Sequence, residues 1–159
     1  MDLTDYSSAA IENIVEKYAD LLMRITFVQM KQLQDAEDIT QEVFVRLIEN
    51  RPVFESEEHR KAWLIRVALN LCKDRWKSSW YKRSVPLEED LAVFPAEISD
   101  ILQTIMKLPS SSRQVVLLHD YFGYSLVEIA SMTGEKSSAV TTRLHRARKK
   151  LRLVLEPLT

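Results

Sequence analysis

The chain has 159 residues, of which 46% are hydrophobic and 28% are charged, and its formal net charge is −1. No apolar run approaches the roughly 20 residues of a membrane-spanning helix, and the first residues, with Asp2 and Asp5, lack the layout of a secretion signal. A single cysteine, Cys72, excludes an internal disulfide and a multi-cysteine metal site. We therefore expect a cytoplasmic globular protein without membrane insertion, metal or cofactor, in which Cys72 is a buried apolar residue.

The spacing of apolar residues predicts a nearly all-helical chain. Only two glycines occur, no alternating strand pattern appears, and apolar residues recur three and four positions apart. The first predicted helix carries such a stripe from Ile11 to Ile25. We therefore expect an all-α fold.

The second predicted helix opens with an acidic segment. Its apolar stripe runs from Ala36 to Ile48, with Asp35 as the expected N-cap and an end near Asn50. The helix dipole stabilises carboxylates in the first turns, so a purely structural role is one interpretation. The other is an exposed face that docks on a basic partner helix, formed by Asp38, Gln41, Glu42 and Val45.

The third predicted helix combines an apolar stripe with a basic face. Between Arg60 and Arg83 there are eight basic residues and one acid. The apolar stripe comprises Leu64, Val67, Ala68, Leu71 and Cys72. Spacing by three and four puts the following polar residues on another face: Arg66, Asn70, Lys73 and Lys77. With the aromatic residues Trp76, Trp80 and Tyr81, this face suits a single-stranded or melted nucleic acid. A solvated cationic face with Trp63 and Trp76 in the core explains the pattern equally well.

A linker divides the chain into two small helical domains. Residues 84–96 contain two prolines and three consecutive acids, which is typical of a connecting segment. The predicted domains are therefore 1–83 and 97–159. In the second domain, a helix with Ile98, Ile101, Leu102 and Ile105 stops at Leu108-Pro109. A further helix, capped by Ser110 to Ser112, carries Val115, Leu118 and Phe122 and ends at Gly123.

The last part of the chain has the pattern of a helix-turn-helix. A helical stretch from Ser125 to Thr133 is followed by Gly134, which tolerates the positive φ of a turn. The second helix is strongly cationic, with seven basic and no acidic residues between Lys136 and Arg152. The expected core of the motif comprises Leu126, Ile129, Ala130, Val140 and Leu144.

Hydroxyl groups crowd the beginning of this second helix. Ser137 and Ser138 are good N-cap types, and their hydroxyls, with those of Thr141 and Thr142, can donate to phosphates or base edges. Such a helix can enter a DNA major groove. An ordinary amphipathic helix with a solvated basic face is the alternative.

Three blocks in this order resemble a known family. Asp35 to Phe44 resembles region 2.2 of bacterial sigma factors, the segment that binds core RNA polymerase. Ala62 to Asn70, followed by Asp74-Arg75, resembles the segments that open and read the promoter −10 element. Leu108-Pro109, Gly123 to Ser125, Glu128 to Ala130 and Arg143 to Arg148 resemble region 4, which binds the −35 element. Because the linker leaves no room for a region 3 domain, the chain resembles a group IV, extracytoplasmic function (ECF), member of the sigma-70 family.

The resemblance implies a role for each candidate surface. The residues implied to bind core RNA polymerase, through its β′ coiled coil with further contact to the β subunit, are Asp35, Asp38, Gln41 and Glu42. Those implied to contact the −10 element are Arg66, Asn70, Lys73 and Lys77, with the loop from Arg51 to Lys61 and Asn70 capturing a flipped-out base. Those implied to contact the −35 element are Lys136, Ser137, Ser138, Thr141, Thr142, Arg143 and Arg146. Promoter DNA and an anti-sigma factor are the other implied partners.

Two departures from the family pattern bear more on which promoter sequence the protein recognises than on whether it acts as a sigma factor. Lys136-Ser137-Ser138 stands where many relatives have a Pro-Val-Gly-like stretch, and the loop from Arg51 to His59 is acidic and lacks glycine.

Two other classes of protein fit the sequence less well. A stand-alone helix-turn-helix regulator needs a ligand pocket or dimerisation domain, whereas the first half carries an acidic face and a basic aromatic face. An enzyme is not expected, because His59, His119 and His145 fall on separate elements without a carboxylate pair or a glycine-rich phosphate loop.

Overall fold

The computed structural model describes residues 2–78 and 103–155, with side chains to residue 152. Contacts divide the chain into two compact units, Met1–Leu87 and Glu88–Thr159. The described ranges contain helices and no strand, which confirms the expected all-α fold. The linker at 84–96 lies outside the described residues, as do Trp80, Tyr81, Ile98, Ile101 and Leu102. The predicted limits 1–83 and 97–159 therefore stay a prediction.

The first unit is a bundle of three helices. Helix α1 spans Ser8–Met30, α2 spans Leu33–Asn50 and α3 spans Glu57–Lys77. The Ser7 hydroxyl accepts from the Ala10 N–H at the start of α1, and the Ser56 hydroxyl accepts from the His59 N–H at the start of α3. These caps satisfy N–H groups that have no partner within the helix.

Each helix of this bundle buries one apolar stripe. Fully buried side chains include Leu22 and Ile25 of α1, Leu47 of α2, and Leu64 and Ile65 of α3. The predicted stripes are confirmed in most positions, but Ile48 was wrongly included. It is 43% exposed because it lies about 100° around α2 from the buried Leu47.

Asp35 is not the N-cap of α2, contrary to the sequence prediction. The helix begins at Leu33, three residues earlier than an Asp35 cap would give, and its cap residue Gln32 makes no side-chain cap bond. The connection from α1 is this short because Lys31 takes a left-handed conformation with φ 58°. Asp35 instead lies in the first turn, where its Oδ1 accepts a 2.8 Å hydrogen bond from Nη1 of Arg75.

In its described residues, 103–155, the second unit is helical at 103–106 and contains three further elements. Helix α4 spans Ser110–Val116 and continues as a π-helical turn, Leu117–Tyr121. Gly123 follows with φ 78°, which agrees with the predicted end. The expected caps Ser110 to Ser112 were wrong: they lie within the helix, because the carbonyl of Pro109 already accepts from the Arg113 N–H.

Helix α5, Leu126–Thr133, and helix α6, Ser137–Leu155, form the predicted helix-turn-helix. Gly134 has φ 73°, as the turn requires. The expected small core is confirmed, since Ile129, Ala130, Val140 and Leu144 are buried and Leu126 is half-buried.

The serines that start α6 are not its N-caps. The carbonyl of Lys136 accepts from the N–H groups of Ala139 and Val140, so the helix begins at Ser137. Ser137 and Ser138 therefore occupy the exposed first turn, and their hydroxyls lie beyond the capping position.

Candidate functional site

An acidic face lies on the solvent side of α2. Asp38, Gln41 and Glu42 are exposed, as is Val45, at 41%. Asp38 accepts from Nε2 of Gln34 at 2.9 Å, and Glu42 pairs with Arg46 at 3.4 Å on the helix surface. Exposed pairs of this kind contribute little to folding, so this face is free to meet a partner.

Asp35 differs from the rest of this predicted group. It is half-buried and forms an ion pair with Arg75, which joins the beginning of α2 to the end of α3. This contact gives Asp35 a structural role and keeps one of its carboxylate oxygens within the bundle.

The predicted polar face of α3 is fully exposed. Arg66, Asn70, Lys73 and Lys77 all face solvent, and none of them makes a hydrogen bond or ion pair within residues 2–78 and 103–155. The spacing argument therefore located these four side chains correctly. Their contact with DNA is addressed under Proposed function.

The tryptophans of α3 have structural contacts. Trp76 donates from Nε1 to the Gln29 carbonyl at 2.8 Å and packs against the buried cluster of Met30, Ile39 and Cys72. Trp63 is half-buried and meets the Phe54 ring edge to face, with 5.8 Å between ring centroids. Both indoles are thus half-buried against the bundle, outside its fully buried core.

A buried arginine fixes the loop between α2 and α3. Arg60, only 1% exposed, donates from Nη1 to Oε1 of Glu57 at 2.6 Å and lies over the Phe54 ring at 5.6 Å. Glu57 also accepts from the Tyr18 hydroxyl at 2.6 Å, and burial is the main cause that raises the pKa of Tyr18. Sequence reasoning missed this network, because a buried arginine contributes to a count of basic residues in the same way as an exposed one.

The N-terminal segment contacts the same loop. The Tyr6 hydroxyl donates to the Pro52 carbonyl, and the Leu3 carbonyl accepts from Nη2 of Arg60. Arg51, which follows α2 and begins the loop, has a left-handed backbone with φ 45°. Asn70 lies about 20 Å along α3 from Glu57, at ~1.5 Å per residue. The capture of one base by the loop together with Asn70 stays a prediction.

Helix α6 has one buried and one solvent-facing side. Val140, Leu144 and Ala147 are buried against the rest of the unit. At 100° per residue, the opposite side carries these exposed residues: Ser138, Thr142, His145 and Lys149. His145, which the sequence indicates as a DNA-facing histidine although it is not among the implied −35 contacts, lies on this outer side.

The polar side chains of α6 differ in whether they already form hydrogen bonds or ion pairs with the protein itself. The hydroxyls of Thr141 and Thr142 donate to the carbonyls of Ser137 and Ser138 at 2.8 and 2.9 Å, so each keeps its acceptor capacity. Lys136 and Arg146 are exposed. Arg148 pairs with Asp120 at 2.9 Å on the surface.

Arg143 points inward, unlike Arg146. It donates from Nη2 to Oε1 of Glu135 at 2.5 Å and from Nη1 to Oε1 of Gln114 at 3.0 Å. Residues three apart on a helix differ by about 60° in direction, which places Arg143 beside the buried stripe and Arg146 away from it. The family resemblance implies a −35 contact for both arginines.

Cys72 and His119 are titratable groups that lie apart from these three surfaces. Cys72 is buried, as expected, and this burial raises its pKa to about 12. His119 is half-buried and donates from Nδ1 to the Tyr124 carbonyl at 2.8 Å. Within the described ranges, no group of histidine, cysteine and carboxylate side chains has the arrangement of a metal site.

No helix in the described part of the chain is both long and apolar enough to cross a membrane.

Comparisons with known proteins match both units. The family profile for Sigma-70 region 2 matches residues 14–81, and that for Sigma-70, region 4 matches residues 98–151. The ECF RNA polymerase sigma factor SigW of Bacillus subtilis is 32% identical over 94% of this chain and 90% of its own length.

Solved structures share the fold. CnrH, in a complex with the cytosolic domain of CnrY, has a TM-score of 0.71 and 25% identity over 99% of this chain and 94% of CnrH. RpoE of Bartonella quintana, in a complex with the anti-sigma factor NepR, has a TM-score of 0.74 and 20% identity over 91% of this chain and 96% of RpoE. The chain therefore belongs to the ECF RNA polymerase sigma factors of the sigma-70 family.

Proposed function

We propose that this sigma factor binds core RNA polymerase through α2 and contacts promoter DNA through α3 and α6. The observation that carries the proposal is the separation of charge: an exposed acidic face lies on α2, and exposed basic faces lie on α3 and α6. These faces fall in the two parts of the chain that match sigma-70 region 2 and region 4.

The acidic face is proposed to meet the β′ coiled coil of the polymerase. Asp38, Gln41 and Glu42 supply the polar contacts, and the exposed Val45 supplies an apolar one. Complementary charge of this kind speeds association and selects the partner. Asp35 acts here by holding α2 against α3 through Arg75. The implied contact with the β subunit rests on the family resemblance alone.

The basic face of α3 is proposed to hold the −10 element. Arg66, Lys73 and Lys77 carry the charge that attracts a DNA backbone, and Asn70 offers an amide for base edges. We propose that the loop from Arg51 to Lys61, together with Asn70, captures a flipped-out base of this element. Glu57, Arg60 and Phe54 hold that loop in place.

The exposed side of α6 is proposed to enter the −35 major groove. Its contact residues are Lys136, Ser137, Ser138, Thr141, Thr142 and Arg146, and His145 is added from its position on the outer side. Arg148, Lys149 and Lys150 follow at the far end and are proposed to meet phosphates, which adds affinity without sequence preference.

We further propose that the protein works in the cytoplasm and is controlled by an anti-sigma factor. The support is that relatives of the same fold have been solved in complexes, CnrH with the cytosolic domain of CnrY and RpoE with the anti-sigma factor NepR.

Run-off transcription with core RNA polymerase on promoters randomised at −10 and −35 tests this proposal. Arg146→Ala should lower the free-energy difference between the preferred base and other bases at −35 by about 1 to 3 kcal/mol. It should leave the base preference at −10 unchanged. Asn70→Ala should do the reverse. Asn13→Ala, a change of the same type at an exposed position of α1, is the control.

Two results would contradict the proposal. One is transcription from these promoters by core polymerase alone at the same level as with this protein added. The other is sequence-specific DNA binding that needs no polymerase and shows no −10 requirement, which is the behaviour of a stand-alone helix-turn-helix regulator.

A further inference from the structure

The Arg143 side chain joins three parts of the second unit. Its Nη2 donates to Glu135 in the turn, and its Nη1 donates to the Gln114 amide oxygen of α4 at 3.0 Å, with a longer contact of 3.4 Å to the Ser111 carbonyl. Arg143 itself belongs to α6. A single guanidinium therefore connects the recognition helix, the turn before it and the helix that supports it.

The partner in the turn is itself fixed to α5. The N–H of Glu135 donates to the Ala130 carbonyl at 3.1 Å, directly after Gly134, whose N–H donates to the same carbonyl. This arrangement closes the end of α5. The contacts thus run without a break from α5 through Glu135 and Arg143 to α6.

Burial and charge favour a role inside the unit over contact with DNA. The side chain of Arg143 is 19% exposed and that of Glu135 33%. Glu135 is an acid next to the first turn of a helix that must approach phosphates. Its pairing with Nη2 of Arg143 offsets that negative charge. Because Nη1 donates to Gln114, both terminal nitrogens that a guanine contact uses already donate within the unit.

We propose that Arg143 is a positioning residue for −35 recognition: it fixes the angle of α6 against α4 and the turn, and it neutralises Glu135. This inference rests on the proposed function of α6. The exposed side chains of α6 then contact the bases, and Arg146 is the arginine among them.

The test uses full-length variants with core RNA polymerase on promoters randomised at −35. Arg143→Ala should lower −35-dependent transcription roughly tenfold, as expected for the loss of charge-assisted hydrogen bonds, with the preferred bases unchanged. Arg146→Ala is the matched control and should change the preferred bases. Glu135→Gln, which weakens one contact, should give a smaller loss with the same preference.

A charge exchange separates positioning from DNA contact. Arg143→Glu alone should abolish −35-dependent transcription, and combining it with Glu135→Arg should restore a substantial part of it. The Gln114 amide can rotate to donate to the new carboxylate. If residue 143 touched DNA, a carboxylate there would repel phosphates and the second change could not help.

The outcomes are distinct. Circular dichroism first checks that each variant is folded. The proposal is overturned if Arg143→Ala changes preference at a −35 position, if Glu135→Gln has no effect, or if a folded double variant is as defective as Arg143→Glu. If Arg146→Ala also leaves −35 preference untouched, the proposed function of α6 fails, and this inference fails with it.

Discussion

At the scale of single residues, Asp38 and Glu42 lie one turn apart on α2 and are both exposed. Their local partners, Gln34 and Arg46, come from the same helix surface and leave the carboxylates accessible. Charge at these two positions is therefore available to an incoming protein, and reversing it should affect binding far more than folding.

We expect Asp38→Arg with Glu42→Arg to weaken binding to core polymerase at least ~100-fold, because like charges brought together at an interface cost several kcal/mol. Fluorescence anisotropy with labelled sigma factor measures the affinity, and circular dichroism checks the fold. Glu12→Arg with Glu16→Arg, an equally spaced exposed pair on α1, is the control. Unchanged affinity in the first variant would remove α2 from the docking surface.

Burial of Cys72 gives the first unit a pH dependence. The thiol has an ordinary pKa of 9.0, and burial raises this pKa to about 12 in the folded protein. The unfolded chain therefore loses the proton at lower pH than the folded chain does. The stabilisation is complete below pH 9 and is lost progressively as the pH rises towards 12.

We expect the wild-type first unit to lose about 1 kcal/mol more stability between pH 7.5 and pH 10 than Cys72→Ala loses. Urea unfolding of both proteins at the two pH values, followed by circular dichroism, measures the difference. The comparison cancels the titration of lysines and tyrosines, which both proteins share. An equal loss in the two proteins would mean that Cys72 does not carry this dependence.

Which residues could be predicted depended on whether their partners were local. The exposed face of α3 followed from spacing alone, since a helix repeats every 3.6 residues. The inward turn of Arg143 depends on Gln114, a residue distant in sequence, and that of Arg60 on Glu57, Phe54 and the N-terminal segment. No charge count distinguishes a paired, buried arginine from a solvated one.

At the scale of elements, helices were predicted better than their caps. The Gly134 turn was predicted because a left-handed conformation selects glycine. Asp35 was wrongly assigned as a cap because its carboxylate bonds to Arg75 on another helix. The capping box of Ser125 and Glu128 was missed, although its Ser-x-x-Glu pattern was available in the sequence.

The capping box should stabilise α5 measurably. The Ser125 hydroxyl accepts from the Glu128 N–H, and the Glu128 carboxylate accepts from the Ser125 N–H, both at 3.0 Å. We expect Ser125→Ala to lower the opening free energy of the α5 amides by about 1 kcal/mol, measured by hydrogen exchange in the full chain. Ser131→Ala, at an exposed site of the same helix, should not. Equal protection in both variants would contradict this role.

At the scale of the whole molecule, a net charge of −1 conceals a strong separation of charge. Helix α2 presents carboxylates, whereas α3 and α6 present basic residues. The two compact units each contain one of the proposed DNA-binding faces. The proposed polymerase-binding face and both proposed DNA-binding faces therefore lie in one chain.

Transcription that depends on the −35 element should therefore rely more on the covalent connection between the units than on which residues form that connection. Linking two binding modules raises the effective concentration of the second to about the millimolar range. We expect a variant with a protease site inserted within 84–96 to keep its helical circular dichroism and its core binding after cleavage. Transcription that depends on the −35 element should fall, because the region 4 unit must then bind as a separate molecule. The uncut variant is the control, and full −35-dependent activity after complete cleavage would show that the units act without a covalent link.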